Sequence, residues 1–321
     1  MTQPAATLMS EFETEVTVSR IDHPAEGVSL LTLTDPASGH LPPWTPGAHI
    51  DLLLGADLVR QYSLCSSPAA SDTYQVAVLL TPDSRGGSAA VHALGEGSRL
   101  TIRGPRNHFP LVASKGYVFL AGGIGITPIL PMIEEAEAAG ADWQLHYGGR
   151  SRASMAFTDH LEKYGDRVHL VPQEEAGVLD LGTILGTPAD DTLVYCCGPE
   201  PLLAAVEERC TSWPAHALHL ERFSAKPRED GDNSDFELVL QRSGITLQVP
   251  AETTVFDAMR NAGVSVLGSC LEGICGTCEQ IVLEGEVDHR DSVLDEEEQE
   301  ANECMMVCVS RARSTRLVLD A

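Results

Sequence analysis

The feature that most constrains this 321-residue chain is a group of closely spaced cysteines near its C-terminus. Cys270, Cys275 and Cys278 follow the spacing C-x4-C-x2-C, and Cys308 follows after a long gap, in an apolar run that predicts a buried strand over 305–309. Three thiolates on one short loop and a fourth from a distant element are the ligands of a [2Fe–2S] cluster. Glycines within the loop allow the tight bends that this wrapping needs. We therefore predict that these four cysteines ligate such a cluster.

Two other uses of the cysteines are compatible with the sequence. A zinc site of four thiolates could combine Cys275 and Cys278 with Cys304 and Cys308. That site leaves Cys270 and the loop glycines without a role, so the cluster is favoured. Cys304 is also the second choice for the fourth cluster ligand. A brown-red colour would identify the cluster, because a zinc protein is colourless.

Composition limits the class of protein. The formal net charge of −26 argues against a nucleic-acid-binding protein, because phosphates require a basic surface. No run of about 18 apolar residues predicts a membrane span. Residues 1–10 lack the features of a secretory signal. Once four of the nine cysteines bind the cluster, an odd number remains, which argues against a set of disulfide bonds. We therefore expect a cytoplasmic protein that is a monomer.

The chain changes its pattern twice. Short apolar runs separated by turn residues over 12–112 predict an antiparallel barrel or sandwich. Strands and helices alternate over 113–224, which predicts a doubly wound parallel sheet. The polar segment 225–234 is typical of a linker. Residues 235–321 then form a third unit, which contains the cysteine loop. The sequence thus predicts a multi-domain protein of mixed α+β and α/β class.

A second motif, Arg60-Gln61-Tyr62-Ser63-Leu64, ends a predicted strand. It resembles the R-x-Y-S-L flavin motif of the ferredoxin–NADP reductase superfamily. The resemblance implies that Arg60 pairs with a flavin phosphate, that Tyr62 stacks on the ring and that Ser63 lies near the reactive N5. A guanidinium can bind phosphate with two parallel hydrogen bonds, which agrees with that role. The same resemblance assigns three further residues to the flavin site: Gln61, Val76 and Val78.

The segment Arg85-Gly86-Gly87-Ser88 precedes a predicted helix. Two glycines at a helix N-terminus favour an anion, although an ordinary turn would show the same residues. After R-x-Y-S, the segment is a candidate for the second side of the phosphate site. The R-G-G-S form, with His92 after it, resembles the phthalate dioxygenase reductase branch of the superfamily, which uses FMN. We therefore expect FMN rather than FAD, which needs extra room for its adenosine.

A glycine-rich turn joins the first strand of the middle segment to a helix. It reads Gly122-Gly123-Ile124-Gly125-Ile126-Thr127-Pro128, with Thr127 as the expected N-cap and Pro128 at the first helical position. Glycines and a helix N-terminus allow a pyrophosphate to approach the backbone. The turn resembles the G-G-x-G-x-T-P motif of the same superfamily. The resemblance implies that Gly122, Gly123 and Thr127 bind the nicotinamide nucleotide.

Further residues follow from the same resemblance. The superfamily places the cysteine of a C-G-P motif beside the nicotinamide ring, which here is Cys197 with Gly198 and Pro199; a small buried core residue is the alternative for Cys197. Ser63 and Cys197 are thus the expected catalytic residues. Phe223 lies where the family packs an aromatic ring against the flavin, and a core phenylalanine is its alternative.

Two arginines bear on the choice of nucleotide. Arg150 and Arg152 follow a predicted strand at the position where family members contact the adenosine ribose. Two arginines could hold the 2′-phosphate of NADPH. Related NADH-dependent reductases carry similar residues, so we expect NADH, with NADPH possible.

The order of the three sites, flavin then nicotinamide then cluster, resembles phthalate dioxygenase reductase and the vanillate demethylase reductase component. The resemblance covers about residues 12–321. It implies an antiparallel β-barrel flavin domain, a doubly wound parallel nicotinamide domain and a β-grasp ferredoxin domain. A flavin can exchange one or two electrons, so it can link a hydride donor to a one-electron cluster. We predict an NADH-dependent reductase that passes electrons through FMN and [2Fe–2S] to a terminal Rieske-type oxygenase.

Two alternatives differ in partner or in class. The acceptor could be a cytochrome P450, because fused systems of that class carry a similar reductase module. A ferredoxin-like carrier with an inactive flavoprotein half would not be an enzyme, but the intact flavin and nicotinamide motifs argue against it. Residues 235–321 contain 17 acidic and 6 basic side chains, so an acidic face could steer docking to a basic partner.

Overall fold

The computed structural model describes residues 12–37, 39–55, 58–70, 72–82, 86–226, 233–294 and 296–321. Arg85 and most of the expected linker, residues 227–232, lie outside the described residues. The chain forms two compact units, one of residues up to Cys197 with Glu207–His219, the other of Gly198–Val206 with Leu220–Ala321. The division into three domains stays a prediction. Among the described residues, no helix has the length and apolar character to cross a bilayer.

The first sheet is antiparallel and has the strand order β4-β3-β6-β1-β2-β5. A bridge between Leu64 and Val76 joins its two edges, so the sheet closes as a barrel. Alternate residues of the strands fill the interior, which includes Val16, Leu31, Ile50 and Ile102. The elements are β1 (Glu13–Ala25), β2 (Val28–Thr34), β3 (His49–Gly55), β4 (Leu58–Ser63), β5 (Thr73–Leu79), α1 (Gly87–His92) and β6 (Arg99–Arg106).

The second sheet has the order β11-β10-β7-β8-β9, and β10, β7, β8 and β9 run parallel. Its strands are β7 (Gly116–Gly122), β8 (Asp142–Gly149), β9 (Val168–Pro172), β10 (Thr192–Cys197) and β11 (Leu218–Glu221). Its helices are α2 (Ile126–Ala138), α3 (Thr158–Leu161), α4 (Gln173–Ala176), α5 (Leu181–Ile184) and α6 (Glu200–Cys210). One apolar core contains Phe119 and Ile129 of this part together with Leu30 and Ala77 of the barrel.

The third sheet has the order β13-β12-β18-β14-β16, in which only β12 and β18 pair in parallel. A separate ribbon pairs β15 with β17. A core that includes Phe236, Met259 and Leu317 lies between the sheet and α7. The elements are β12 (Phe236–Leu240), β13 (Ile245–Val249), α7 (Val255–Asn261), β14 (Glu279–Glu284), β15 (Val287–Asp288), α8 (Glu296–Ala301), β16 (Cys304–Met306), β17 (Arg311–Ala312) and β18 (Arg316–Leu319). The barrel, the parallel sheet and the C-terminal α+β part are the three architectures that the sequence predicts.

Two local expectations are wrong. Thr127 is not the N-cap of α2, because residues Gly123–Gly125 form a 3-10 turn that runs directly into the helix, and Gly125 takes the capping position. The strand expected over 305–309 ends at Met306. The chain turns there instead, since the N–H groups of Val309 and Ser310 both donate to the Met306 carbonyl at 3.1 and 2.9 Å.

Candidate functional site

Four cysteines meet beside β14 and β16. The exposed fractions of Cys270, Cys275, Cys278 and Cys308, here called the cysteine quartet, are 8, 3, 3 and 5%. Side-chain hydrogen bonds join Cys270 to Cys275 and to Cys308, and Cys308 to Cys278. The contacts join the four thiols into one continuous group, which suits a cluster held by four thiolates.

Close packing shapes the loop that carries the quartet. A Cβ atom on Gly273 would lie 2.5 Å from Val309 Cγ2 and 3.0 Å from Asp291 Cα, and this glycine has φ +70°. Any side chain at this position would push the loop away from the turn that carries Cys308. The Glu272 N–H donates to Cys270 Sγ at 3.3 Å, which favours the thiolate form that a metal requires.

Contacts within the quartet and burial change the pKa of its thiols, and the net shift is upward for Cys275 and Cys308. The neighbouring Cys270 thiol and burial raise the pKa of Cys275, and the pKa of Cys308 is raised to about 12 even though its contact with Cys270 lowers it, because the Cys278 thiol and burial raise it more. Metal binding to such a site must release protons. The buried set of four sulfurs therefore fits a [2Fe–2S] cluster, which these residues would hold.

Cys304 lies outside the quartet. It begins β16 and is the register partner of Ile281 on β14. Burial and the carboxylates of Glu279, Glu298, Asp291 and Glu303 raise its pKa to about 11. Cys308, by contrast, contacts both Cys270 and Cys278, so the geometry supports Cys308 rather than Cys304 as the fourth ligand.

The two halves of the expected phosphate site are adjacent in space. A Cβ atom on Gly87 would lie 2.5 Å from Arg60 Cγ and 2.8 Å from Arg60 Nε, so glycine makes room for this arginine at the start of α1. Gly86 is the N-cap of α1 and has φ 84°. The structure thus brings Arg60 of β4 next to the R-G-G-S segment, and the guanidinium and the first turn of α1 could share one phosphate.

Two polar side chains anchor α1 to the barrel. Ser88 is buried, and its hydroxyl lies 3.2 Å from both the backbone nitrogen and the hydroxyl of Thr81, which fixes the segment that leads into α1. The His92 ring lies 3.2 Å from the Ser29 hydroxyl and 2.9 Å from the Val78 carbonyl oxygen. His92 therefore has a structural role that accounts for its presence in the motif.

The remaining predicted flavin-site residues lie on β4 and β5. Tyr62 is half-buried and packs against the barrel core, and burial raises its pKa to about 12. Ser63 is buried at the end of the strand. Val76 and Val78 are buried among the core residues of the barrel, so a flavin contact from them would come from the backbone.

A polar cluster beside this strand was not predicted. Asp51 of β3 is fully buried, and its Oδ1 accepts hydrogen bonds from Gln61 Nε2 at 2.9 Å and from Arg106 Nη2 at 2.5 Å. His49 of β3 is the register partner of Ser63, and burial, with a smaller effect from His108, lowers its pKa to about 3. Asp51 is a charged residue in a largely apolar strand. This is the signal in the sequence that could have revealed the polar cluster.

The nicotinamide motifs lie at one edge of the parallel sheet. The chain leaves β7 toward β8 on one side, whereas β10 lies on the other side, and Cys197 pairs in register with Ala121, next to Gly122. Such a reversal of strand order leaves a crevice at the carboxyl ends of the strands, where nucleotides bind. Gly122, Gly123 and Cys197 are therefore brought together where a nicotinamide nucleotide could bind.

Individual residues of this edge differ in exposure. Thr127 is buried, and its hydroxyl donates to the Ile124 carbonyl at 2.9 Å, which stabilises the glycine turn. Cys197 is fully buried in the core that the barrel and the parallel sheet share, so contact with a ring would require neighbouring atoms to move. Phe223 has an exposed fraction of 42%, which does not match the alternative of a core phenylalanine.

The C-G-P motif also begins a helix. The Pro199 carbonyl accepts hydrogen bonds from the N–H groups of Leu202 and Leu203 at 2.9 and 3.2 Å, in the first turn of α6. Glu200 of this turn forms a 3.1 Å ion pair with Arg222, whose side chain is buried. Gly198 and Pro199 therefore connect the end of β10 to the start of α6.

The two arginines after β8 are exposed, and one has an acidic partner. Arg152 Nε lies 2.9 Å from Glu175 Oε1 and 3.1 Å from Glu175 Oε2, which joins the 3-10 turn after β8 to α4 after β9. The Arg150 carbonyl accepts a hydrogen bond from the Glu174 N–H at 3.1 Å. A carboxylate therefore pairs with one of the two arginines that the sequence predicts at the adenosine ribose.

Comparison with known proteins gives one family model and close relatives along the chain. Residues 238–313 match the model of a 2Fe-2S iron-sulfur cluster binding domain. The chain is 43% identical to phenoxybenzoate dioxygenase subunit beta of Ectopseudomonas oleovorans over 94% of its own length and 96% of that protein.

Two solved structures are similar over 96% of this chain. One is phthalate dioxygenase reductase, described as a modular structure for electron transfer from pyridine nucleotides to [2Fe-2S], with 33% identity, a TM-score of 0.71 and 98% of that chain covered. The other is an intact type IV self-sufficient cytochrome P450 monooxygenase, with 46% identity and a TM-score of 0.92. This chain spans 41% of the length of that P450 protein.

Proposed function

The chain belongs to the family of oxygenase reductases that includes phthalate dioxygenase reductase, and from this membership we propose that its electron acceptor is a terminal oxygenase of the Rieske type. As a member of the family, it is an NADH-dependent oxidoreductase with FMN and a [2Fe–2S] cluster. The observation that carries the proposal is the buried cysteine quartet in the same chain as the flavin and nicotinamide motifs.

The names of the relatives support an oxygenase as the partner protein. The chain covers 96% of a relative that is named as a dioxygenase subunit and 98% of a phthalate dioxygenase reductase. A second candidate is a cytochrome P450, because the similarity to the self-sufficient P450 is also high, with a TM-score of 0.92.

The predicted flavin-site residues would bind and orient the FMN. Arg60 and the backbone of residues 86–88 would hold the FMN phosphate, and Tyr62 and Phe223 would pack on the flavin ring. Ser63 would hydrogen-bond the ring near N5. The cofactors supply the electron chemistry, while the protein orients them and excludes water.

The nucleotide site favours NADH. Arg152 is the side chain best placed to meet a 2′-phosphate, yet it already pairs with Glu175 at 2.9 Å. A second anion at this position would compete with the carboxylate and be repelled by it. Arg150, Gly122, Gly123 and Thr127 would contact the ribose and the pyrophosphate, and Cys197, Gly198 and Pro199 the nicotinamide end.

We also propose that the protein is a cytoplasmic monomer. None of the nine cysteines, each of them in a described segment, forms a disulfide, which suits a reducing compartment. Light scattering of the purified protein should give a mass near the 34.4 kDa of one chain.

The partner is tested by reconstitution. Purified reductase is combined with NADH and either the Rieske oxygenase or the P450 encoded nearest to it, and oxygen uptake coupled to product is measured. We expect turnover with the Rieske oxygenase. Turnover only with the P450 would contradict the proposed partner, and absence of any NADH oxidation would contradict the function itself.

A further inference from the structure

Three side chains of β14 form an exposed stripe. Glu279, Ile281 and Leu283 are all exposed, and the exposed fractions of Ile281 and Leu283 are 53 and 46%. The register with β18 shifts between Val282 and Glu284, so the exposure of Leu283, and not the strand period, places it on this surface. Val282, between them, packs against the core on the opposite face. Adjacent large apolar side chains that stay exposed are typical of an interaction surface. These three residues are here called the β14 stripe.

Exposed carboxylates lie along the β14 stripe. Glu279 begins the stripe and is exposed. Glu303 is also exposed and lies beside Val282, whose N–H donates to the Glu303 carbonyl at 2.8 Å. A partner that brings positive charge to this rim would be attracted to these side chains.

The other end of the β14 stripe holds one cation. Arg316 lies 2.9 Å from Glu284 and 3.0 Å from Glu237, so two carboxylates share its charge. The rim is therefore acidic at both ends, with the two apolar side chains between them. Such an arrangement is complementary to an apolar contact surrounded by lysine and arginine.

The β14 stripe is also close to the cysteine quartet. Glu279 directly follows Cys278, and its register partner Met306 lies two residues before Cys308. The Val307 N–H donates to the Cys278 carbonyl at 3.3 Å, which holds the two ligand-bearing segments together. Cys278 and Cys308 both belong to the quartet, so a partner on this face would approach the residues that would hold the cluster.

We propose that the β14 stripe is the surface on which the electron-accepting oxygenase docks, through a face with an apolar centre and a basic rim. The inference rests on the proposed function, since it names the docking site of that partner. Ile281 and Leu283 supply the apolar contact, and the carboxylates orient the partner as it approaches. The partner takes one electron per encounter, and no bond forms or breaks.

The test uses the double variant Ile281→Gln/Leu283→Gln of the full-length holoprotein. The probe is cytochrome c, a basic haem protein with lysines around an apolar haem edge, reduced with NADH at low ionic strength. We expect the KM for cytochrome c to rise about tenfold, the scale of losing apolar anchors at an interface. The rate with ferricyanide, a small acceptor that needs no docking surface, should stay unchanged.

The matched control is Val112→Gln, which also replaces an apolar residue of 46% exposed fraction, but one that belongs to the other compact unit. It should leave the KM for cytochrome c unchanged. Glu303→Lys tests the rim separately, and it should raise that KM and weaken its dependence on salt. An unchanged KM in both the double variant and Glu303→Lys would overturn the docking surface. A wild-type protein that oxidises no NADH with either acceptor would instead contradict the proposed function.

Discussion

At the scale of single residues, the flavin site depends on contacts between distant positions of the chain. Gly87 has no side chain because the Arg60 side chain occupies the space that a Cβ atom would need. Ser88 and His92 then fix the same helix to the barrel through Thr81, Ser29 and the Val78 carbonyl. The arginine, the glycines and the helix are therefore adjacent in the structure, and we propose that they form one phosphate site.

Gly87→Ala should weaken FMN binding. The added methyl group would displace Arg60, because the two would lie 2.5 Å apart. We expect the Kd for FMN to rise about tenfold, or about 1.4 kcal/mol, as measured by quenching of flavin fluorescence. Gly95→Ala is the control, because a Cβ atom at Gly95 meets nothing within 4 Å. Equal FMN affinity in the two variants would contradict the assignment.

Glu175→Gln should shift the choice of nucleotide. The variant removes the charge that Arg152 pairs with, and a freed guanidinium can bind a 2′-phosphate. We expect kcat/KM for NADPH to rise about fivefold, or about 1 kcal/mol, and kcat/KM for NADH to change less than about twofold. Glu174→Gln is the control, because it removes a charge from the same helix without touching Arg152. A rise in both variants, or in neither, would show that the ion pair does not set the preference.

At the scale of elements, periodicity predicted the strands and the cysteine spacing predicted the ligand loop, since both are local properties of the chain. Local patterns did not predict where the strand before Cys308 ends. They also did not predict the 3-10 turn that leaves Thr127 inside α2 and not at its N-cap. The buried Asp51–Arg106 pair was missed for a related reason. It exists only because β3 and β6 are neighbours, and the register between strands is not encoded in either strand alone.

Cys308→Ser and Cys304→Ser should separate the two candidates for the fourth ligand. The first variant removes a sulfur of the quartet, so we expect the visible absorbance and the EPR signal of the cluster to be lost while flavin absorbance remains. The second removes a thiol that faces carboxylates, and both signals should persist. Loss of the cluster in the Cys304 variant alone would reverse the assignment.

At the scale of the whole molecule, three architectures occur in one chain: a closed antiparallel barrel, a parallel sheet and a small α+β part with four buried thiols. Each suits the binding of one component of electron transfer: a flavin, a nicotinamide nucleotide or an iron–sulfur cluster. The net charge of −26 adds a long-range field that favours a basic acceptor. Family membership and geometry thus agree on a reductase that serves another protein.

The most direct test of this account is an anaerobic titration of the purified protein with NADH, followed by visible absorbance and EPR. We expect flavin and cluster absorbance to fall together and the EPR signal of a reduced [2Fe–2S] cluster to appear. Bleaching of the flavin with no reduction of the cluster, or a protein that binds neither, would contradict the account.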